Sequence, residues 1–202
     1  MAQSYIKRIL NAQVYDVARE TPLDAAPLLS GRLGNQAFLK REDLQPVFSF
    51  KCRGAYNKMV HLDEAARAAG VVAASAGNHA QGVALAASKL GIKATIVMPV
   101  TTPLIKVDAV KALGAKVVMH GDSFDEAAVR ARALTESEGF TFIHPFDDPD
   151  VIAGQGTVAV ELVRQAQQPL DYVFVCCGGG GLLAGMAAYL RYVWPHLSLI
   201  HI

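Results

Sequence analysis

Residues 71–82 read Val71-Val72-Ala73-Ala74-Ser75-Ala76-Gly77-Asn78-His79-Ala80-Gln81-Gly82. An apolar run with no polar alternation turns through a glycine into a helical pattern. A strand of that kind suits burial on both faces, as in a parallel sheet covered by helices. The same unit repeats downstream. A helix over 78–90 ends at Gly91, and the strand 94–98 closes at Pro99. A helix over 106–113 stops at Gly114 and leads into the strand 116–119. An amphipathic helix over 124–138 ends at Gly139, before a short strand at 141–143. Glycine stops helices because it takes the left-handed conformation that closes the last turn.

Pro145, Asp147, Asp148 and Pro149 then form a turn-rich junction, read as a crossing between two lobes. Beyond it come a helix over 153–167, a strand over 171–177, a helix over 182–193 closed by Trp194-Pro195, and a strand over 197–202 in which the chain stops. Upstream, 37–40 reads as a strand and 52–62 as a helix. The expected fold is α/β: two lobes of open, twisted parallel sheet with helices on both faces, the second lobe truncated.

Hydrophobic residues make up 52% of the 202 positions and charged residues 18%, enough for a core and the reverse of a disordered composition. Nineteen basic and 18 acidic residues are well mixed, so no stripe marks a nucleic-acid or anionic-membrane partner. Residues 172–190 carry no charge and have the length of a membrane span, but four consecutive glycines rule out a continuous helix. Three cysteines without a spaced framework, and no signal peptide at the start, point to a reducing, cytoplasmic setting. Cys176 and Cys177 lack the converging ligands of a zinc site, so strand core is expected there and no metal.

Three segments carry chemistry. In Ser49-Phe50-Lys51-Cys52-Arg53-Gly54, Ser49 reads as an N-cap, which puts Lys51 in the first helical turn. The helix dipole disfavours a positive charge there, and Phe48 and Phe50 add desolvation. A neutral amine is what a Schiff base to a carbonyl cofactor requires. A surface lysine near a helix start fits the same residues. Ser75 to Gly82 spans a strand-to-helix junction whose free N–H groups suit a carboxylate. Asn78 can cap that helix or donate to a cofactor oxygen, and His79 fits either a site or a structural role. Gly178-Gly179-Gly180-Gly181-Leu182 lets the backbone wrap a phosphate at a helix start. No Walker lysine follows, while Gly179, Gly181 and Ala184 meet the loose dinucleotide pattern, which leaves a Rossmann-type oxidoreductase as a remote alternative.

In that order and spacing the three segments resemble the tryptophan-synthase-β-like, or fold type II, pyridoxal-phosphate enzymes. Lys40-Arg41-Glu42-Asp43, Lys106-Val107-Asp108-Ala109-Val110 and Val151-Ile152-Ala153-Gly154-Gln155-Gly156-Thr157 make the chain similar to the threonine and serine dehydratase branch, and most to biosynthetic threonine deaminases. The resemblance implies pyridoxal 5′-phosphate on Lys51, which later acts as base at the substrate Cα. It implies Asn78 on the cofactor's 3′ oxygen, and Ser75, Gly77, Asn78 and His79 around the substrate carboxylate. Gly178, Gly179, Gly180, Gly181 and Leu182 would hold the phosphate. Residues 1–52 and 148–202 would belong to the larger, cofactor-binding lobe and 53–147 to the smaller.

The implied reaction is β-elimination of water from L-threonine, yielding 2-oxobutanoate and ammonia as the first step of isoleucine biosynthesis. Serine would give pyruvate, and a serine dehydratase or serine racemase is the alternative within the branch. A homo-oligomer is implied for the full-length enzyme. Two departures are visible. Cys52 stands where the dehydratases usually carry a larger aliphatic residue, which should only trim packing. The family also continues past residue 202, through later strands and a serine at the pyridine nitrogen, and in some members through a regulatory domain. The 202-residue piece is therefore expected not to sustain normal turnover, and an inactive fragment is the non-enzyme reading.

Overall fold

The computed structural model describes residues 2–202. In chain order its elements are α1 (Ala2–Leu10), β1 (Leu23–Ala25), α2 (Pro27–Leu33), β2 (Phe38–Lys40), a 3-10 turn (Glu42–Leu44), α3 (Lys51–Val60), α4 (Glu64–Ala69), β3 (Val71–Ala74), α5 (Asn78–Leu90), β4 (Ala94–Met98), α6 (Leu104–Ala112), β5 (Lys116–Met119), α7 (Phe124–Glu138), β6 (Thr141–Phe142), α8 (Pro149–Gln165), β7 (Tyr172–Val175), α9 (Gly181–Val193) and β8 (Ser198–His201). The strands β3 to β6 form one parallel sheet in the order β5-β4-β3-β6. A second parallel pair, β7-β8, is bridged by α9, and β1-β2 is a small antiparallel pair.

The apolar strands are apolar because both faces are covered. Val71 and Ala73 on β3, with Ala94, Ile96 and Met98 on β4, pack into a core shared with α3 and α5. The alternate residues Val72, Ala74 and Val97 face the other way, against Ala127, Ala128, Ala131 and Leu134 of α7. That period of two is the pleat of a strand expressed as two cores. A third core joins α8, β7 and α9.

Helix α8 begins at Pro149, four residues earlier than the pattern suggested. Asp148 caps it, accepting from the N–H of Asp150 at 2.8 Å and of Val151 at 3.2 Å. Proline at the first helical position loses no bond, so the turn-like residues of the junction are a helix start. The vicinal cysteines also differ from expectation. Strand β7 stops at Val175, leaving Cys176 exposed and Cys177 half-buried rather than in strand core. Cys52 is fully buried against α5, as a small residue at a close helix crossing should be.

Where α3 meets α8, glycines let the backbones touch. A Cβ on Gly154 would lie 2.7 Å from the Arg53 carbonyl oxygen, and one on Gly54 would lie 2.7 Å from that of Val151. This crossing ties the segment that carries Lys51 to the second block of the fold.

Candidate active site

Strand order decides where the site lies. From β3 the chain steps outward to β4 and β5, then returns to place β6 on the opposite side of β3. Loops after the carboxyl ends of β3 and β6 must part there, leaving the crevice where open α/β sheets bind ligands. The loop 75–77 and the turn 143–147 flank that crevice. Helix α3 brings Lys51 to it, because Gly82 on α5 permits close approach: a Cβ there would sit 3.0 Å from the Lys51 carbonyl carbon and oxygen.

Lys51 is half-buried at the first position of α3. Burial pulls its pKa below the ordinary lysine value, against a smaller opposing effect from Cys176. Its Nζ donates to the Pro145 carbonyl at 2.6 Å and lies 5.6 Å from the Phe50 ring centre. Of the two flanking phenylalanines only Phe50 contributes desolvation. Phe48 is 76% exposed, at φ 56°, a left-handed conformation that costs a non-glycine residue about 1–2 kcal/mol. Ser49 does serve the helix start, its hydroxyl accepting the Lys51 N–H at 3.3 Å, although Phe50 is the residue at the boundary.

A cavity of about 290 Å³ has Lys51 and Phe50 on one wall and Cys176 through Leu182 on another, with Phe146 and Ile202 beside them. The tetraglycine segment runs into α9, with Gly181 as its first residue. Gly180 adopts φ 88° as its cap, and the first return bond is the Ala184 N–H to the Gly180 carbonyl at 2.8 Å. The N–H groups of Gly181, Leu182 and Leu183 therefore have no partner within the helix, and the dipole adds a positive end. Gly179 cannot carry a side chain, since its Cβ would overlap the Phe146 ring; one on Gly181 would lie 2.8 Å from the Phe146 carbonyl oxygen.

The segment 75–79 lies outside that cavity wall. Ser75 continues the sheet through its N–H to Val97, and its hydroxyl accepts the Gly77 N–H at 3.2 Å. Asn78 does not cap α5. It is the first helical residue, its side chain is exposed, and the cap position is Gly77 with no side-chain bond. Cap-free, α5 presents the open N–H groups of its first turn. The His79 ring is buried and turned inward, its Nε2 donating to the Ile143 carbonyl at 2.9 Å, with its pKa pushed down to about 4 chiefly by burial. Only its backbone is left for a ligand.

One buried polar cluster beside the site has no signal in the sequence. Arg53, two residues beyond Lys51, is fully buried and ion-paired with Glu161 at 2.6 Å and Glu42 at 2.8 Å. Lys40 adds 2.6 Å to Glu161, and Tyr15 donates to the same carboxylate at 2.9 Å. Burial opposes the Glu161 charge, but Arg53 and Lys40 hold its pKa below the usual carboxylate value. No local spacing signals this cluster, because the partners are 11 and 108 residues from Arg53.

An amine and an N–H cradle thus share one cavity. A family model described as pyridoxal-phosphate dependent enzyme matches residues 14–202. The chain belongs to that family. Relatives of this pyridoxal-phosphate family member include the biosynthetic, chloroplastic threonine dehydratase of Arabidopsis thaliana, 61% identical over 98% of this chain and 34% of its own length. The biosynthetic L-threonine dehydratase of Burkholderia multivorans is 57% identical over 98% of this chain and 40% of its own. Among solved structures, threonine deaminase isoform 2 of Solanum lycopersicum in its processed form superposes with TM-score 0.96, at 52% identity over 99% of this chain and 55% of that one. Maize serine racemase superposes with TM-score 0.93, at 34% identity over 97% and 60%. The chain thus spans roughly a third to two-fifths of the curated relatives it matches. The expected fold class holds, in the family's two-sheet α/β form.

The residues present fit the family's cofactor. An aldehyde needs an amine whose charged form is disfavoured, which burial provides at Lys51. A phosphate needs several convergent N–H donors, which the start of α9 provides. Both open on the same cavity.

Proposed function

We propose that this chain supplies the lysine-bearing half of a site that deaminates L-threonine to 2-oxobutanoate by eliminating water, with pyridoxal 5′-phosphate held on Lys51. The observation carrying this reading is the half-buried Lys51 amine in one cavity with the tetraglycine turn, in a chain 61% identical to a biosynthetic threonine dehydratase. When bound, the cofactor supplies an electron sink for the negative charge left at the substrate Cα. Lys51, whose charged form burial disfavours, takes the Cα proton and afterwards returns one. Gly178, Gly179, Gly180, Gly181 and Leu182 bind the phosphate. Ser75, Gly77, Asn78 and His79 form the loop that receives the substrate carboxylate, through the open N–H groups of the first turn of α5 and the Ser75 hydroxyl, and the exposed Asn78 amide donates to the cofactor's 3′ oxygen. Phe50 and Phe146 limit water at the amine.

In the same reading, 53–147 is the smaller lobe, and 1–52 with 148–202 are part of the larger one. Biosynthesis of isoleucine is the proposed setting and a homo-oligomer the proposed assembly of the full-length protein. No helix among the described residues is long and apolar enough to cross a membrane. A cytoplasmic location is proposed on the sequence reading alone, since plant and yeast relatives are named chloroplastic and mitochondrial.

The test is borohydride reduction of the protein mixed with pyridoxal phosphate, followed by peptide mass spectrometry. A label on Lys51 supports the reading; a label on another lysine, or none, overturns it. On the full-length protein, 2-oxobutanoate from threonine must exceed pyruvate from serine. The likeness to serine racemase makes inversion of L-serine without ammonia release the outcome that would reassign the reaction.

A further inference from the structure

The turn Ile143 to Asp147 touches all three parts of the site at once. The Ile143 carbonyl takes the His79 Nε2 proton at 2.9 Å, holding the start of α5. The Pro145 carbonyl takes the Lys51 amine at 2.6 Å. The Phe146 ring lies against Gly179, which only a glycine allows. The turn keeps its shape through one side chain. His144 Nδ1 accepts the Asp147 N–H at 2.7 Å and the Phe146 N–H at 3.3 Å, while its ring packs edge-on against Phe146 at 4.7 Å and Phe142 at 6.1 Å. Pro145 has no N–H, so residues 146 and 147 carry the first free donors of the turn, and a single acceptor gathers both.

We propose that His144 is a positioning residue for the cofactor site, its Nδ1 lone pair fixing the turn that places the Pro145 carbonyl at Lys51 and the Phe146 ring against the phosphate loop. The inference rests on Lys51 and the tetraglycine turn being the cofactor site. It requires the tautomer with the proton on Nε2, since both N–H groups at Nδ1 are donors. Protonation turns the acceptor into a third donor and opens the turn. The charged and titratable groups around the ring come from four elements: Asp147 and Asp148 at the junction, Arg132 on α7, Lys51 on α3 and His79 on α5. Burial, the largest influence, favours the neutral ring, Arg132 and Lys51 add to it, and the two aspartates oppose it.

The side chain matters only as an acceptor two and three residues upstream of the N–H groups it holds. Asparagine can present an oxygen in much the same place and does not titrate. The experiment compares wild type, His144→Asn and His144→Leu in three readouts: pyridoxal phosphate affinity from the absorbance change on mixing, borohydride labelling of Lys51, and hydrogen-exchange protection of the Phe146 and Asp147 amides followed downward from pH 8. At pH 8, His144→Leu is expected to bind at least about tenfold more weakly and to lose protection at both amides, while His144→Asn stays within about threefold of wild type. As pH falls below the ordinary histidine value, wild type should lose protection at both amides at a higher pH than His144→Asn does. Equal affinity in His144→Leu and wild type overturns the proposal, as does His144→Asn behaving like His144→Leu. Should His144→Leu fail to fold, wild type and His144→Asn decide alone: the two losing protection at the same pH overturns it. If wild type is not labelled at Lys51 at all, the proposed function fails instead, and amide protection still reports on the turn.

Discussion

Arg53→Met removes a guanidinium from the centre of the molecule and keeps most of the side chain's apolar length. Six charge-assisted bonds disappear: to Glu42 at 2.8 and 2.8 Å, to Glu161 at 2.6 and 3.0 Å, and to the Thr157 hydroxyl and the Arg19 carbonyl at 3.1 Å each. The stranded carboxylates are not equal. The Glu161 side chain is fully buried but keeps Lys40 and Tyr15, while that of Glu42 is 13% exposed and keeps the Thr21 hydroxyl and the Gln45 amide. Breaking a buried pair by removing one partner costs about 3–5 kcal/mol, and the surviving partners put this case near ~3 kcal/mol. For a chain of this length that lowers Tm by about 6–12 °C. Urea unfolding measures it directly, as a fall in the midpoint at unchanged slope. A loss under about 1 kcal/mol refutes the reasoning, because that is what an exposed pair contributes. A Glu161→Gln double-mutant cycle should then show coupling of about 0.5–3 kcal/mol with Arg53→Met.

Gly154→Ala should destabilise by about 1–3 kcal/mol in the same assay, since the new methyl meets the backbone of α3 at 2.7 Å and neither helix can yield cheaply. Gly179→Ala displaces Phe146 from the tetraglycine turn; if that turn holds the cofactor phosphate as proposed, pyridoxal phosphate affinity by absorbance titration should fall at least about tenfold, and an unchanged value would show that the ring's position is immaterial. His79 stays neutral in the fold down to about pH 4 but protonates near 6.5 when unfolded. Its contribution is complete above that value and is lost as pH falls from about 6.5 to 4, a decline of about 3 kcal/mol that His79→Gln should flatten in pH-dependent unfolding. Asp148→Ala removes both the cap of α8 and the 2.8 Å partner of Lys58, and should cost about 1–2 kcal/mol in thermal unfolding.

The central strands and helices were legible in the sequence because their signals are local. Helices 78–90 and 124–138 and strands 94–98 and 116–119 have the bounds read from apolar runs and terminal glycines. Elements α2, α4 and the three-residue strand β1 lack such a pattern and were missed, and α1 was missed although its apolar residues do recur at helical spacing. Helix α2 buries no residue and α4 is six residues long, so neither shows a sustained apolar face. In the site, Lys51, the Ser75 to Gly82 loop and the tetraglycine were all marked by helix-start and glycine chemistry. Arg53 and His144 were not, because what makes each matter is a partner set by folding.

Residue types along the chain were enough to determine which segments become buried strands and where helices stop, and to mark one amine and one glycine turn as candidates for holding a phosphorylated aldehyde. These are properties of neighbours within a few positions, governed by backbone conformation and periodic burial. Only the tertiary structure decided that Lys51 faces residues 178–182, that His79 turns inward, and that a turn around Pro145 links the three segments. Those outcomes depend on strand order and on helices crossing at Gly54, Gly82 and Gly154, contacts between positions far apart in the chain that no local pattern encodes.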